Sequence, residues 1–149
     1  MNIQFLSRKK QKEIENFFKD TYGFELPTCK IIKKGKDKLR IFTGDISEHE
    51  FNILSHLLRI EIAGMYLTFD KDNETRLSYD ASYLAKNAKN NLFEVNEKQF
   101  KLWMSGEDIP STKKFKEKFV LIKYKSDIIG CGKATQEKIL NFVPKERRQ

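Results

Sequence analysis

The chain has 149 residues, 39% hydrophobic and 34% charged, with 29 Lys and Arg against 21 Asp and Glu, a net charge of +8. That length allows one ordinary domain or two small ones, and the composition is globular with a polar surface. No apolar run reaches the roughly 18 residues of a membrane span, the N-terminal MNIQFLSRKKQ lacks a signal-peptide pattern, and a single pair of distant cysteines suggests no secreted disulfide framework; the expectation is a cytoplasmic protein with an anionic partner and no membrane.

Taken in chain order, Ser7 caps a first helix whose apolar positions are Ile14, Phe17 and Phe18, and Gly23 stops it. Leu26-Pro27 then breaks the chain. Cys29–Lys34 reads as a strand, Gly35-Lys36-Asp37 as a hairpin turn and Leu39–Gly44 as the returning strand. Ser47 followed by Glu50 forms a capping box that opens a second helix, with Phe51, Leu54, Leu57 and Leu58 as its expected buried face. Ile60–Asp70 reads as an apolar strand, Lys71–Glu74 as a polar turn and Thr75–Tyr79 as the partner strand. Asp80 is the expected cap of a short helix that ends in Asn87-Ala88-Lys89-Asn90-Asn91.

Beyond that asparagine-rich patch, Leu92–Val95 is a short strand and Asn96 caps a third helix with Phe100, Trp103 and Met104 on its apolar side and Gly106 at its end. A loop follows, with a short strand around Ile109. Strands are expected at Phe119–Lys125 and Ile128–Lys133, joined by a Ser126-Asp127 turn, and at Lys138–Val143, which Pro144 stops. The fold class is α+β: an α+β unit over 1–91 packed on a small β pseudo-barrel over 92–149. Each part is near the lower size limit for an independent core, so the two should pack together.

Charge is unevenly spread. Lys113–Gln149 carries eleven Lys or Arg against four Asp or Glu, a local +7. Because this stretch also contains the strand patterns FVLIKY and KILNFV, it reads as a folded cationic surface, and nucleic acid is the expected polyanion.

Catalytic patterns are weak. His49 and His56, seven residues apart beside Glu50, lack a third conventional ligand, and surface positions explain them better than a metal. Cys131, between Gly130 and Gly132, could be a nucleophile activated by Lys133, but a small residue in a tight barrel position is the favoured reading. Gly130-Cys131-Gly132-Lys133 lacks the long loop, the Ser or Thr and the following helix of a phosphate loop, and no GxGxxG is present. No cofactor, metal or catalytic residue is expected. Trp103 reads as core ahead of a base-stacking platform.

Three segments carry a family resemblance: Trp103 with Gly106, then Gly130-Cys131-Gly132-Lys133, then Asn141-Phe142-Val143-Pro144-Lys145-Glu146-Arg147-Arg148. Together they resemble a PUA domain, a small RNA-binding pseudo-barrel, and in particular the PUA-like tail of Sun/Fmu-type rRNA cytosine-5 methyltransferases. The full element order, with Tyr83-Leu84-Ala85 and Asp127–Gly132, resembles ribosome-assembly factors built from an α+β pre-PUA domain followed by PUA. The methyltransferase catalytic domain, with its paired cysteines and cofactor loops, is missing from these residues. The resemblance implies a non-enzymatic RNA-binding protein acting on ribosomal RNA, or on tRNA, in ribosome assembly or RNA modification. The alternative is an accessory subunit docked on an RNA-modifying enzyme such as a methyltransferase. It further implies an RNA surface made of Lys101, Gly106, Lys113, Lys114, Lys116, Lys145, Arg147 and Arg148.

Overall fold

A computed structural model describes residues 3–71 and 74–149. The chain order is β1 (Ile3–Phe5), α1 (Arg8–Tyr22), β2 (Lys30–Lys34), β3 (Lys38–Phe42), α2 (Glu48–Leu57), β4 (Met65–Lys71), β5 (Glu74–Leu77), a 3-10 turn (Ser82–Ala85), β6 (Leu92–Glu94), α3 (Glu97–Met104), β7 (Ile109–Pro110), β8 (Phe119–Tyr124), β9 (Asp127–Ala134), β10 (Lys138–Leu140) and a last 3-10 turn (Lys145–Arg147). Two five-stranded sheets result, ordered β1-β2-β3-β4-β5 and β6-β8-β9-β10-β7. The first is antiparallel throughout. In the second, only β6 and β8 run parallel.

Local chemistry sets the ends of α1. The Ser7 hydroxyl accepts from the Lys10 N–H, and Gly23 turns left-handed at φ 76° while its N–H donates to the Lys19 carbonyl. Ile14, Phe18 and Tyr22 face the core. The asparagine-rich segment at 87–91 fastens onto this helix end. The N–H groups of Lys89 and Asn90 both donate to the Tyr22 carbonyl, and the Asn91 side chain donates to the Thr21 carbonyl.

Strand β8 joins the two halves. Phe119, Val120, Leu121 and Ile122 are all buried, which a strand achieves only when both of its faces are covered. Phe119 and Leu121 enter a core with Ile14, Phe18, Tyr22, Leu39, Leu67 and Leu77. Val120 and Ile122 enter a second core with Trp103, Met104, Ile109, Ile139 and Val143. The Tyr22 hydroxyl crosses from α1 to donate to the Phe119 carbonyl at 2.9 Å. The larger core is therefore built from residues on both sides of position 91.

Several elements differ from expectation. β1 was not anticipated: it is three residues long and pairs at the edge with β2. The strand expected over Ile60–Asp70 begins only at Met65, because Gly64 turns at φ 71° and Arg40 hydrogen-bonds the carbonyls of Ala63 and Gly64. The turn expected at Lys71–Glu74 has its centre outside the described residues. Asp80 caps no helix: the Ser78 hydroxyl accepts the Ala81 N–H, and the helix there is one 3-10 turn. The β8–β9 turn is Lys125-Ser126, with Lys125 at φ 54°. The last strand stops at Leu140 rather than Val143, where Asn141 takes over as an anchor. The largest difference concerns α2. Only Phe51 of its expected apolar face is buried, while Leu54, Leu57 and Leu58 are 37%, 75% and 62% exposed. Phe51 packs edge-on against Phe5 and Phe42, and it is the one residue of the helix that is buried.

Candidate nucleic-acid interface

Helix α3 organises the C-terminal half. Asn96 and Gln99 form a reciprocal capping box at its start. At its end Trp103 is fully buried, and its indole N–H donates to the Ile129 carbonyl at 2.9 Å. The two glycines of Gly130-Cys131-Gly132 are explained by this ring. A Cβ on Gly130, which sits at φ 143°, would lie 3.0 Å from Trp103 Cζ2. One on Gly132 would press on Ile139 and lie 3.0 Å from the Leu140 carbonyl. The motif is a seat for tryptophan, and its lysine, Lys133, is 4.0 Å from Glu74.

The tail from 141 to 149 is stitched to the end of α3. The Asn141 amide donates to the carbonyls of Trp103 and Glu107, both at 2.8 Å, and its oxygen accepts the Val143 N–H. The Asn141 N–H donates to the Asp108 carboxylate, which also pairs with Lys138 at 3.0 Å. The Asn141 N–H holds the Asp108 carboxyl below its ordinary range against the opposing effect of burial, with Lys138 adding to the lowering. The Gln149 N–H donates to the Met104 carbonyl. A basic tail is thus fixed in place through Asn141 and the Gln149 backbone, with Lys145, Arg147 and Arg148 exposed.

The eight residues singled out by resemblance fall as follows. Gly106 follows the Ser105 cap at φ 91°, and the Arg148 side chain lies over it where a Cβ would be, 2.6 Å from the Arg148 Cδ. Arg148 Nε also donates to the Val143 carbonyl. Arg147 reaches instead to Asp80 at 3.3 Å, and Lys145 is exposed, so of the tail cations Arg148 is the one set against the end of α3. Lys101, on α3, pairs loosely with Glu97 at 3.7 Å. Lys113, Lys114 and Lys116 project from the loop before β8. That loop is pinned by Phe115, which packs edge-on against Phe93, with the Lys113 ammonium 5.1 Å from the Phe115 ring centre.

Sequence reading passed over Phe115, although it is the lone apolar residue within TKKFKEK. It also passed over a groove of about 410 Å³ where the two sheets meet, lined by Phe69, Phe119 and Phe142 with Lys71, Glu74, Arg76 and Lys133. Arg76 lies 4.0 Å from the centre of the Phe142 ring there. No local sequence signal could reveal it, since its walls come from β4, β5, β8, β9 and the tail.

The candidate catalytic groups are placed elsewhere. Cys131 is buried, and burial pushes its thiol up to about 12, against a smaller opposing effect of a backbone hydrogen bond. His49 and His56 are exposed, and His56 Nδ1 lies 2.7 Å from the Asn52 carbonyl. Among the described residues no three His, Cys, Asp or Glu side chains are placed to hold a metal. No described helix is long and apolar enough to cross a membrane.

Comparison with known proteins bears on this surface. Residues 90–149 match the family described as the Methyltransferase RsmF PUA domain. Over 143 residues the chain is 26% identical to the Ribosomal RNA small subunit methyltransferase F of Shewanella oneidensis. That alignment takes in 94% of this chain but only 28% of the relative, so the chain spans little more than a quarter of that protein's length. A conserved PUA domain protein from Thermoplasma acidophilum superposes with a TM-score of 0.60 at 15% identity, covering 95% of this chain and 93% of the other. The fold is that of a PUA domain protein, and the C-terminal part resembles the PUA tail of Sun/RsmF-type methyltransferases.

Proposed function

We propose that this chain is a non-catalytic RNA-binding protein that contacts ribosomal RNA during ribosome assembly or rRNA modification. The observation that carries this reading is the basic tail, held by Asn141 against the end of a PUA-type helix. A cation on a fixed backbone can match phosphates in one geometry, which a mobile basic tail does not. Phosphate contacts from Lys101, Lys113, Lys114, Lys116, Lys145, Arg147 and Arg148 supply most of the affinity and make it fall steeply with salt. Gly106 contributes by letting Arg148 lie flat on the helix end. Selectivity comes from the shape of a folded RNA.

The test is a gel shift with small-subunit rRNA fragments at several salt concentrations. Replacing Lys113, Lys114 and Lys116 by alanine is expected to weaken binding and to reduce the slope of log K against log salt by up to about 3, with thermal stability nearly unchanged. Unchanged affinity and slope reject this surface.

A second reading is favoured by one observation: the similar region of the Shewanella protein is part of a much longer polypeptide named as an rRNA methyltransferase. Here the chain acts as an accessory subunit that delivers RNA to a modifying enzyme. A stoichiometric enzyme recovered with the tagged chain from nuclease-treated extract supports it, and recovery that disappears with nuclease counts against it.

A further inference from the structure

Helix α2 buries only Phe51, and the polar residues on either side of that contact border a surface groove. Glu48, Asn52, Ser55, His56 and Arg59 line a groove shared with Ile3 and Gln4 of β1. The apolar positions Ile53, Leu54 and Leu57 lie on the outer face, followed by Leu58 and Ile62 in the extended segment beyond. These five side chains are between 37% and 75% exposed, and with Tyr83 they are the large apolar residues most open to solvent. A chain with a strongly polar surface has no reason of stability to present an apolar helix stripe to water, and contiguous patches of this kind mark interaction sites.

The charges around the patch decide what covers it. Gly44 to Gly64 carries Asp45, Glu48, Glu50 and Glu61 against Arg59 and contains no lysine, in a chain with a net charge of +8. Arg59 is itself turned toward Glu61 at 3.3 Å. Glu50 is held as a carboxylate by the Ser47 N–H and hydroxyl. Two cations from outside the segment are engaged with its backbone, Lys30 with the Ile46 carbonyl and Arg40 with the carbonyls of Ala63 and Gly64. Lysine depletion with apolar exposure is the composition of a protein interface core. The acidic rim repels RNA, an anionic membrane surface and the same rim on a second copy of the chain.

We propose that this face docks a different protein through an apolar patch rimmed by Lys and Arg. Leu57 and Leu58, 75% and 62% exposed and adjacent at the end of the helix, are its anchors. The docking is independent of RNA binding, which lies on the other half of the molecule. It supplies a surface by which the accessory-subunit reading would hold its enzyme.

The experiment places a photoreactive benzophenone side chain at position 57 of the full chain in cells, followed by nuclease treatment and identification of the adduct. The protein found is then purified and titrated with the unlabelled chain. The expected result is one adduct to another protein, through a peptide rich in Lys and Arg. The purified pair should bind more weakly as salt rises and lose about a hundredfold in affinity with the double variant L57D/L58D. Because both positions are solvent-exposed, that variant should keep native Trp103 fluorescence and an unchanged gel shift with rRNA. Adducts to nucleic acid, to lipid, to a second copy or to a scatter of proteins overturn the proposal. So does a purified pair indifferent to L57D/L58D. A failed gel shift in the unmutated chain, by contrast, strikes only at the RNA reading.

Discussion

Gly132 shows how much of a motif is packing. The pattern Gly-Cys-Gly-Lys has the look of a phosphate cradle, yet both glycines are occupied by the need to pass under Trp103 and beside β10. Replacing Gly132 by alanine forces a Cβ into Ile139 and toward the Leu140 carbonyl, neither of which can retreat without moving β10. The expected cost is about 1–3 kcal/mol of stability, read as a lower urea midpoint at unchanged m-value. An unshifted midpoint would mean that β10 yields freely. The residue types here were legible, since a strand with two glycines beside a helix tryptophan suggests close packing. The partner was not, because Ile139 and Trp103 lie on either side of the motif in sequence and meet it only in the fold.

At the scale of elements, the helices were legible where their caps are encoded locally. Ser7, Ser47 and Asn96 each accept from a backbone N–H of the first turn, as their positions imply. Strand β8 was legible from four consecutive apolar residues, and its burial on both faces explains why it does not alternate. What sequence periodicity cannot supply is direction. The apolar stripe of α2 has the right spacing for burial, but the sheet beneath it accepts only Phe51. Of the candidate interface, the eight residues were named from resemblance. Asn141 stands in the C-terminal segment that carries the resemblance, but its hold on the tail, like that of Phe115 on the lysine loop, emerges only from tertiary contacts. Asn141 gives a test of rigid presentation separate from charge. Asn141→Ala leaves every cation in place and removes the side chain's hydrogen bonds to the carbonyls of Trp103 in α3 and Glu107 just beyond it, together with its acceptance of the Val143 N–H within the tail. It should lower stability by about 1–3 kcal/mol and weaken rRNA binding at a temperature where the variant is still folded. Binding equal to the unmutated chain would show that charge alone suffices.

The whole molecule is two sheets closed over a shared core, and groups buried at that junction tie its stability to pH. Burial pushes the Tyr22 hydroxyl far above its ordinary range, and burial likewise raises Cys131 to about 12 from an ordinary 9.0. Both groups are neutral when folded and ionise more readily when unfolded. Their contribution to stability is therefore complete below the unfolded values and declines as pH rises through the folded ones. The urea midpoint should hold steady up to about pH 9 and fall beyond it. Cys131→Ala should make the fall between pH 9 and 10 shallower, whatever its effect at neutral pH. An identical alkaline slope would mean that this thiol is not buried as described. The same junction explains why the two parts act as one body: α1 and β8 share a core and the Tyr22 hydrogen bond, and Arg147 of the tail reaches back to Asp80. On that body the proposed protein-docking face of α2 and the proposed RNA face around α3 and the tail draw on different elements.

The most direct measurement is ultraviolet crosslinking of the purified chain to small-subunit rRNA, with the attached peptides mapped by mass spectrometry. Crosslinks confined to the segments 101–116 and 141–149, and lost with rising salt, are the expected result. Crosslinks that instead fall on α1, on α2 or evenly over all surface lysines would contradict an RNA-gripping face built on the C-terminal half.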